Sequence, residues 1–148
     1  MNGFNLSLIF VLGLSALPVQ AISLSAFEWQ YRPLLIFAPQ QQDHRLQQLN
    51  KTLIDKTCEL DDRDMVIGVF VTQGPSHLAK QTMSAQQAEH MRKQYEIQAD
   101  QFAVLLIGKD GGEKYRLYEI PDLSEIFDLI DGMPMRQAEM QQQSVDCK

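Results

Sequence analysis

The sequence predicts an α/β fold built on a mixed four-stranded sheet with helices on both faces. Three observations carry this reading. Two apolar runs of strand length, residues 34–38 and 65–71, are each followed by a stretch with helical spacing, the pattern of parallel strands joined by crossover helices. A third run, residues 102–107, is apolar on both faces, as a covered central strand should be. It meets Gly108-Lys-Asp-Gly-Gly112 and then the alternating Lys114-Tyr-Arg-Leu-Tyr118; Asp110-Gly111 is a strong hairpin signal, because both residues tolerate φ > 0 in a tight turn.

In chain order, residues 24–31 alternate Phe27 and Trp29 with Glu28 and Gln30, which reads either as an extended lead-in or as one helical turn. Residues 32–39 form the first strand, five apolar residues between two prolines; Pro33 is tolerable at a strand start and Pro39 should end it. Asp43 is placed to cap a helix over 43–58, with Leu46, Leu49, Leu53 and Ile54 at helical spacing. Residues 59–64 are polar and turn-like, 65–71 are the second buried strand, and 73–82, with Gly74-Pro75, read as a loop. Ser84 with Gln87 makes a capping box, and Ala88, Met91 and Tyr95 line one face of a helix to about Gln98. After the central strand, Lys114 and Arg116 share one face of the hairpin's second strand and Tyr115 and Leu117 the other; this suits an edge strand, where charge discourages pairing with another chain. Asp122 with Glu125 opens the last strong helix: Leu123, Ile126, Phe127 and Ile130 fall at i, i+3, i+4 and i+7, with Gly132 as the stop. Pro134 opens a shorter helix through Met140, and 141–148 are a flexible polar tail. The order β-α-β-α-β-β-α, with two right-handed crossovers, a hairpin and a covering helix, is the thioredoxin-like arrangement, with the sheet ordered second strand, first, third, fourth.

The 148 residues are 45% hydrophobic and 22% charged, which fits one globular domain. The net charge of -6, with no run of Lys or Arg beyond two, excludes a nucleic-acid footprint. Residues 1–21 read as a secretory signal: residues 6–17 are an apolar core and Val19-Gln20-Ala21 supplies small residues for cleavage, although no Lys or Arg precedes the core. The competing reading, an uncleaved anchor, is disfavoured because the run is short of the ~20 residues a spanning helix needs. No cysteine follows the cleavage point, which argues against a lipid anchor. The expectation is a domain over 22–140, periplasmic or secreted, with no membrane association after cleavage. Cys58 and Cys147 are the two cysteines. In an exported protein they either pair, or Cys58 is a buried thiol and Cys147 is incidental.

Several phrases resemble a known family. Tyr31-Arg-Pro-Leu-Leu-Ile-Phe-Ala-Pro39, Arg63-Asp64 before a strand, Leu106-Ile-Gly-Lys-Asp-Gly-Gly112, and Phe127-Asp-Leu-Ile-Asp-Gly-Met-Pro-Met-Arg-Gln-Ala-Glu-Met140 together resemble DUF4174, a family of exported bacterial proteins. That family is similar to the thioredoxin-like domains of vertebrate extracellular sushi-repeat proteins. The resemblance spans nearly all of the chain after residue 21. It implies a thioredoxin-like fold outside the cytoplasm with no settled activity.

Dithiol chemistry on such a fold needs Cys-x-x-Cys just after the first strand, where a helix N-terminus lowers the attacking thiol's pKa. That place reads Ala38-Pro-Gln-Gln-Gln-Asp-His44. Ala103 stands where a cis-proline is expected, and Cys58 falls a helix length away. His44 and Arg45 at the helix start are open to an anion, although a solvated helix start explains them as well. Six residues are singled out for binding: Arg63 and Asp64, Lys109 and Asp110, and Arg136 and Glu139. Arginine–carboxylate pairing is the strongest polar device available to them, and structural pairing is the favoured reading over a ligand site. For Arg136 the nearest carboxylates in sequence are Asp131 and Glu139, with Asp64 and Asp110 across the fold. Met133, Met135 and Met140 read as packing rather than a Cu(I) site, and the three histidines share no zinc-like spacing. No cofactor or metal is implied. The functional expectation is a redox-inactive module that binds a protein, a peptide or a small anionic ligand; the alternative is a thiol-dependent oxidoreductase or peroxidase-like enzyme using Cys58.

Overall fold

Six strands form one mixed sheet in the order β4-β3-β2-β1-β5-β6. The computed structural model describes residues 23–142 and Cys147; the expected signal at 1–21 lies outside them, as do residues 143–146 and 148. Strand β1 (Arg32–Gln40) sits at the centre, parallel to β2 (Met65–Gln73) and antiparallel to β5 (Ala103–Ile107). Strand β6 (Glu113–Leu117) closes one edge. Strands β3 (Ser76–Leu78) and β4 (Gln81–Met83) close the other. The four expected strands stand in their expected order, but β5 runs antiparallel to β1 and β2, so the link from β2 to β5 is not the second parallel crossover expected; the sheet also gains two short strands where the sequence predicts a loop over 73–82. Glycine is the physical reason. Gly68 pairs with Leu78, and a Cβ on Gly68 would meet Leu78 Cδ1 at 2.9 Å. The bare backbone lets the Leu78 side chain lie against the sheet.

Alternation along β1 builds the two cores. Leu34, Ile36 and Ala38 face one side with α1 (His44–Asp55), α2 (Thr57–Asp62) and α4 (Leu123–Asp131). Leu35 and Phe37 face the other, with Phe70, Leu78 and α3 (Ala85–Gln94). Leu123, Ile126, Phe127 and Ile130 are all buried, as their spacing demands. Asp43 caps α1 through the Arg45 amide, and Ser84 and Gln87 form the reciprocal capping box of α3. The lead-in takes the helical option, a 3-10 turn over Leu24–Phe27.

Several boundaries differ from expectation. The helix expected over 43–58 breaks at Lys56, and residues 57–62 form α2 instead of a turn; Leu60, buried in the core, anchors that polar segment. Strand β1 runs past Pro39, with Gln40 paired to Gln73. Helix α3 stops at Gln94, and Glu96 takes a positive φ of 58°. In the hairpin turn only Gly111 adopts positive φ, at 78°, while Asp110 accepts from the Gly112 amide at 3.1 Å. Helix α5 (Pro134–Gln142) extends two residues beyond the expected end, into the stretch read as tail. Met133 packs on the core as expected, but Met135 is exposed.

Candidate functional site

Strand β1 starts and ends at opposite poles of the sheet, and each pole holds a buried arginine. At the carboxyl ends of β1 and β2, where a thioredoxin-like fold would carry its chemistry, lies Arg92. Its guanidinium donates to the carbonyls of Ala38, of Phe70 (3.2 Å) and of Gln98 (2.8 Å), and stands 5.7 Å from the Phe37 ring centroid. Burial pushes its pKa down from the ordinary arginine value, and no carboxylate pairs with it among the described residues. At the same end of β1, Asp43 both caps α1 and pairs with Arg45, so the helix start is served by the chain's own carboxylate.

At the amino ends of β1 and β2 lies a cluster of eight charges. Arg32 opens β1 on the face that carries Leu34 and Ile36, and is only 1% exposed. Its Nη1 donates to the Arg63 carbonyl at 2.9 Å and to Glu139 Oε2 at 3.1 Å; its Nη2 donates to Glu139 Oε1 at 3.0 Å. Lys109, from the hairpin turn, donates to the same Glu139 Oε1 and to Asp64 Oδ2, each at 2.7 Å. Arg63 pairs with Asp131 at 2.6 Å and lies over the Phe127 ring. Arg136 donates to Asp131 Oδ1 at 3.1 Å, to the Asp62 carbonyl at 2.6 Å and to the Asp62 carboxylate. Four cations thus meet four carboxylates, and the cluster is neutral as a whole. Burial opposes the charge on Glu139, yet the bonds from Arg32 and Lys109 hold its carboxyl below the ordinary glutamate value.

Five of the six singled-out residues, Arg63, Asp64, Lys109, Arg136 and Glu139, meet in this cluster. Asp110 does not: it turns outward to Lys114 at 2.7 Å. Of the carboxylates considered for Arg136, Asp131 bonds it and Glu139 stands 3.9 Å away, whereas its strongest partner, Asp62, was missed. Arg32 was also missed, though its signal was legible: an arginine heading a fully apolar central strand must find a partner at the sheet's end.

Cys58, in the first turn of α2, is bonded to Cys147, with Cα atoms 5.7 Å apart. Of the two readings of the cysteines, pairing is the one observed, and the end of the chain is tethered there. A cleft of about 800 Å³ lies between the bond and the cluster, lined by Thr57, Cys58, Asp61, Asp62, Arg136 and Glu139 among others. A smaller one of about 250 Å³ opens beside Arg32 and Lys109 and is walled by Met133, Pro134 and Met135. The bond stands at the amino-end pole, about 20 Å from the β1–α1 turn by the length of α1. Among the described residues no group of three or more His, Cys, Asp and Glu is arranged to hold a metal ion, no helix is long and apolar enough to cross a membrane, and no cis peptide occurs.

The fold resembles that of a Plasmodium yoelii thioredoxin peroxidase I, with a TM-score of 0.55 and 18% identity, over 85% of this chain and 83% of that one. It matches an N-terminally modified Plasmodium yoelii Prx1a equally well, at TM-score 0.55 and 18% identity, over 86% and 84% of the two chains. The fold is therefore thioredoxin-like. By sequence the chain is 31% identical over 134 residues to the coiled-coil domain-containing protein 80 of Danio rerio; this match covers 79% of the chain but 15% of that protein's length. With a family model matching residues 23–139, the chain belongs to the DUF4174 family, described as a domain of unknown function.

Proposed function

We propose that this protein is an exported, redox-inactive binding module on a thioredoxin-like frame, taking a protein, a peptide or a small anionic ligand in the periplasm or outside the cell. One observation carries the reading. The two cysteines of the chain are bonded to each other at the pole opposite the β1–α1 turn. A thiol catalyst on this fold works from that turn, where the helix N-terminus stabilises a thiolate. Here the turn holds glutamines and the Asp43–Arg45 pair, and Arg92 binds main-chain carbonyls at the strand ends. A disulfide between distant segments also favours an oxidising compartment.

One structural neighbour is a thioredoxin peroxidase, which keeps a second reading in play, a thiol-dependent peroxidase using Cys58. The two separate in one set of assays. A binding module reduces insulin with dithiothreitol, and consumes hydrogen peroxide with a thiol donor, at the blank rate. Turnover above blank that disappears in Cys58→Ser overturns the proposal in favour of the enzyme. Export is read by mass spectrometry of the expressed protein: a mature N-terminus at or near Ile22 is expected, and an intact Met1 in the membrane fraction refutes it.

A further inference from the structure

Helix α5 is docked by charge rather than by an apolar face. Of its nine residues only Arg136 is buried. Arg136 pins it to Asp62 and Asp131, and Glu139 pins it to Arg32 and Lys109. Five residues past its end, Cys147 ties the chain to Cys58 on α2. The elements that receive Glu139 do not depend on α5. Arg32 belongs to the central strand and is steadied by the Arg63 carbonyl. Lys109 is steadied by Asp64, and its own carbonyl accepts from the Trp29 amide at 2.6 Å. A forked guanidinium and an ammonium converging on one carboxylate is the geometry of carboxylate recognition. Here the ligand is the chain's own Glu139. Without Glu139, Lys109 would keep Asp64, but Arg32 would be left with the Arg63 carbonyl and no carboxylate, a positive charge only 1% exposed. The buried Nε of Arg32 has no partner even in the closed arrangement. A cleft of about 250 Å³ already adjoins these two cations, and two of its lining residues, Pro134 and Met135, belong to α5 itself.

We propose that Arg32 and Lys109 form a carboxylate-binding site which Glu139 occupies as an internal ligand, and that the Cys58–Cys147 bond latches it shut. The inference rests on the binding-module reading and names the ligand chemistry and its control. Opening is a thiol–disulfide exchange. An external dithiol gives two electrons and two protons, Cys58 and Cys147 become thiols, and the dithiol becomes its own disulfide. Freed of its covalent tether, α5 keeps the charged pins of Arg136 and Glu139 and the Gln137 bond to the Asp131 carbonyl, and an external carboxylate competes directly for the place of Glu139.

The test follows the amide signals of Arg32 and Lys109, and the Arg32 side-chain Nε–H, by nuclear magnetic resonance on the full chain, with sodium chloride as the ionic control. Sodium acetate is the free-acid probe; a synthetic peptide with the sequence of residues 134–142 is the peptide probe. The oxidised protein should respond to acetate no more than to chloride. The reduced protein, and oxidised Glu139→Ala, should show saturable shifts with at least a tenfold gain in apparent affinity. Arg32→Gln should erase them in both. A peptide midpoint tenfold or more below that of acetate assigns the site to polypeptide carboxylates, and equal midpoints assign it to small acids. Chloride-like responses from both the reduced protein and Glu139→Ala overturn the proposal. If one of the two forms unfolds, the other decides; if both unfold, the receiving half does not stand without Glu139 and the proposal is refuted. Either failure leaves the insulin and peroxide assays, which read the binding-module proposal, untouched.

Discussion

Replacing Arg136 by alanine removes three hydrogen bonds at once, two to carboxylates and one to the Asp62 carbonyl. Bonds to charged groups are worth about 1.5–3 kcal/mol each, and breaking a buried pair costs about 3–5 kcal/mol when the abandoned charge has no other partner. Here it has one. Arg63 still holds Asp131 at 2.6 Å and stands 3.6 Å from Asp62, and the Asp131 side chain is 29% exposed, so water reaches it. The residual compensation brings the expected loss down to about 2–3 kcal/mol. With a urea slope of about 2 kcal/mol/M for a domain of this size, the unfolding midpoint should fall by roughly 1–1.5 M at unchanged slope. Arg136→Lys should recover only part of this, because an ammonium cannot reproduce the fork. As a control, Lys93→Ala breaks the exposed Lys93–Glu89 pair and should leave the midpoint where it is. Equilibrium unfolding under non-reducing conditions decides the matter. An Arg136→Ala midpoint indistinguishable from the Lys93→Ala control would refute a structural role for the cluster.

Three further outcomes follow from the same structure. The folded-state pKa of Glu139 is depressed, so its contribution is fully present above the ordinary glutamate value of 4.5 and is lost as pH falls through the lower folded value; thermal melts should be flat down to about pH 5 and fall below pH 4.5, less steeply in Glu139→Gln. Reducing Cys58–Cys147, which closes a loop of 89 residues, should cost at most about 4–5 kcal/mol on the chain-entropy account, read as the midpoint difference with and without dithiothreitol. Ser84→Ala removes the α3 cap and should cost about 1 kcal/mol in urea unfolding, with an unchanged result counting against the capping box as a stabilising feature.

The central sheet and its covering helices were legible because their signals are local. Leu34–Ala38, the Asp110-Gly111 turn and the Leu123–Ile130 stripe each declare an element within a few residues. Strands β3 and β4 were not legible, because three residues are too few to show a period and Gly74-Pro75 argues for a loop. Helix α2 hid inside an acidic run whose one apolar residue, Leu60, does the anchoring. The cluster was half legible. Arg63, Asp64, Lys109, Arg136 and Glu139 stood out as charges in or beside distinctive phrases, but which of them pair is a long-range property. Arg32 and Glu139 are 107 residues apart, and Arg136 and Asp62 are 74. No periodicity carries that information; only the parallel register that sets Arg32 beside Met65, and so beside the end of α2, produces it. Asp110 stands apart from the cluster for the opposite reason: its partner Lys114 is four residues away, and the turn satisfies it locally.

The two poles of the sheet are closed by different chemistry, and the difference bears on where function sits. At the carboxyl-end pole, Arg92 spends its donors on main-chain carbonyls of β1, β2 and the loop after α3. Those acceptors neither titrate nor dissociate while the sheet is intact, so that end is fixed. The amino-end pole is joined by carboxylates on α2, α4 and α5, together with Asp64 between α2 and β2. These can be screened by salt or displaced by a competing anion, and Glu139 is lost to protonation at low pH. Open α/β sheets usually bind ligands beyond the carboxyl ends of their strands. In this chain Arg92 binds main-chain carbonyls at that end, and the charged groups have gathered at the opposite end, beside the covalent bond that a change of redox environment can break. The thioredoxin-like frame thus carries fixed main-chain contacts at one pole and adjustable charged contacts at the other.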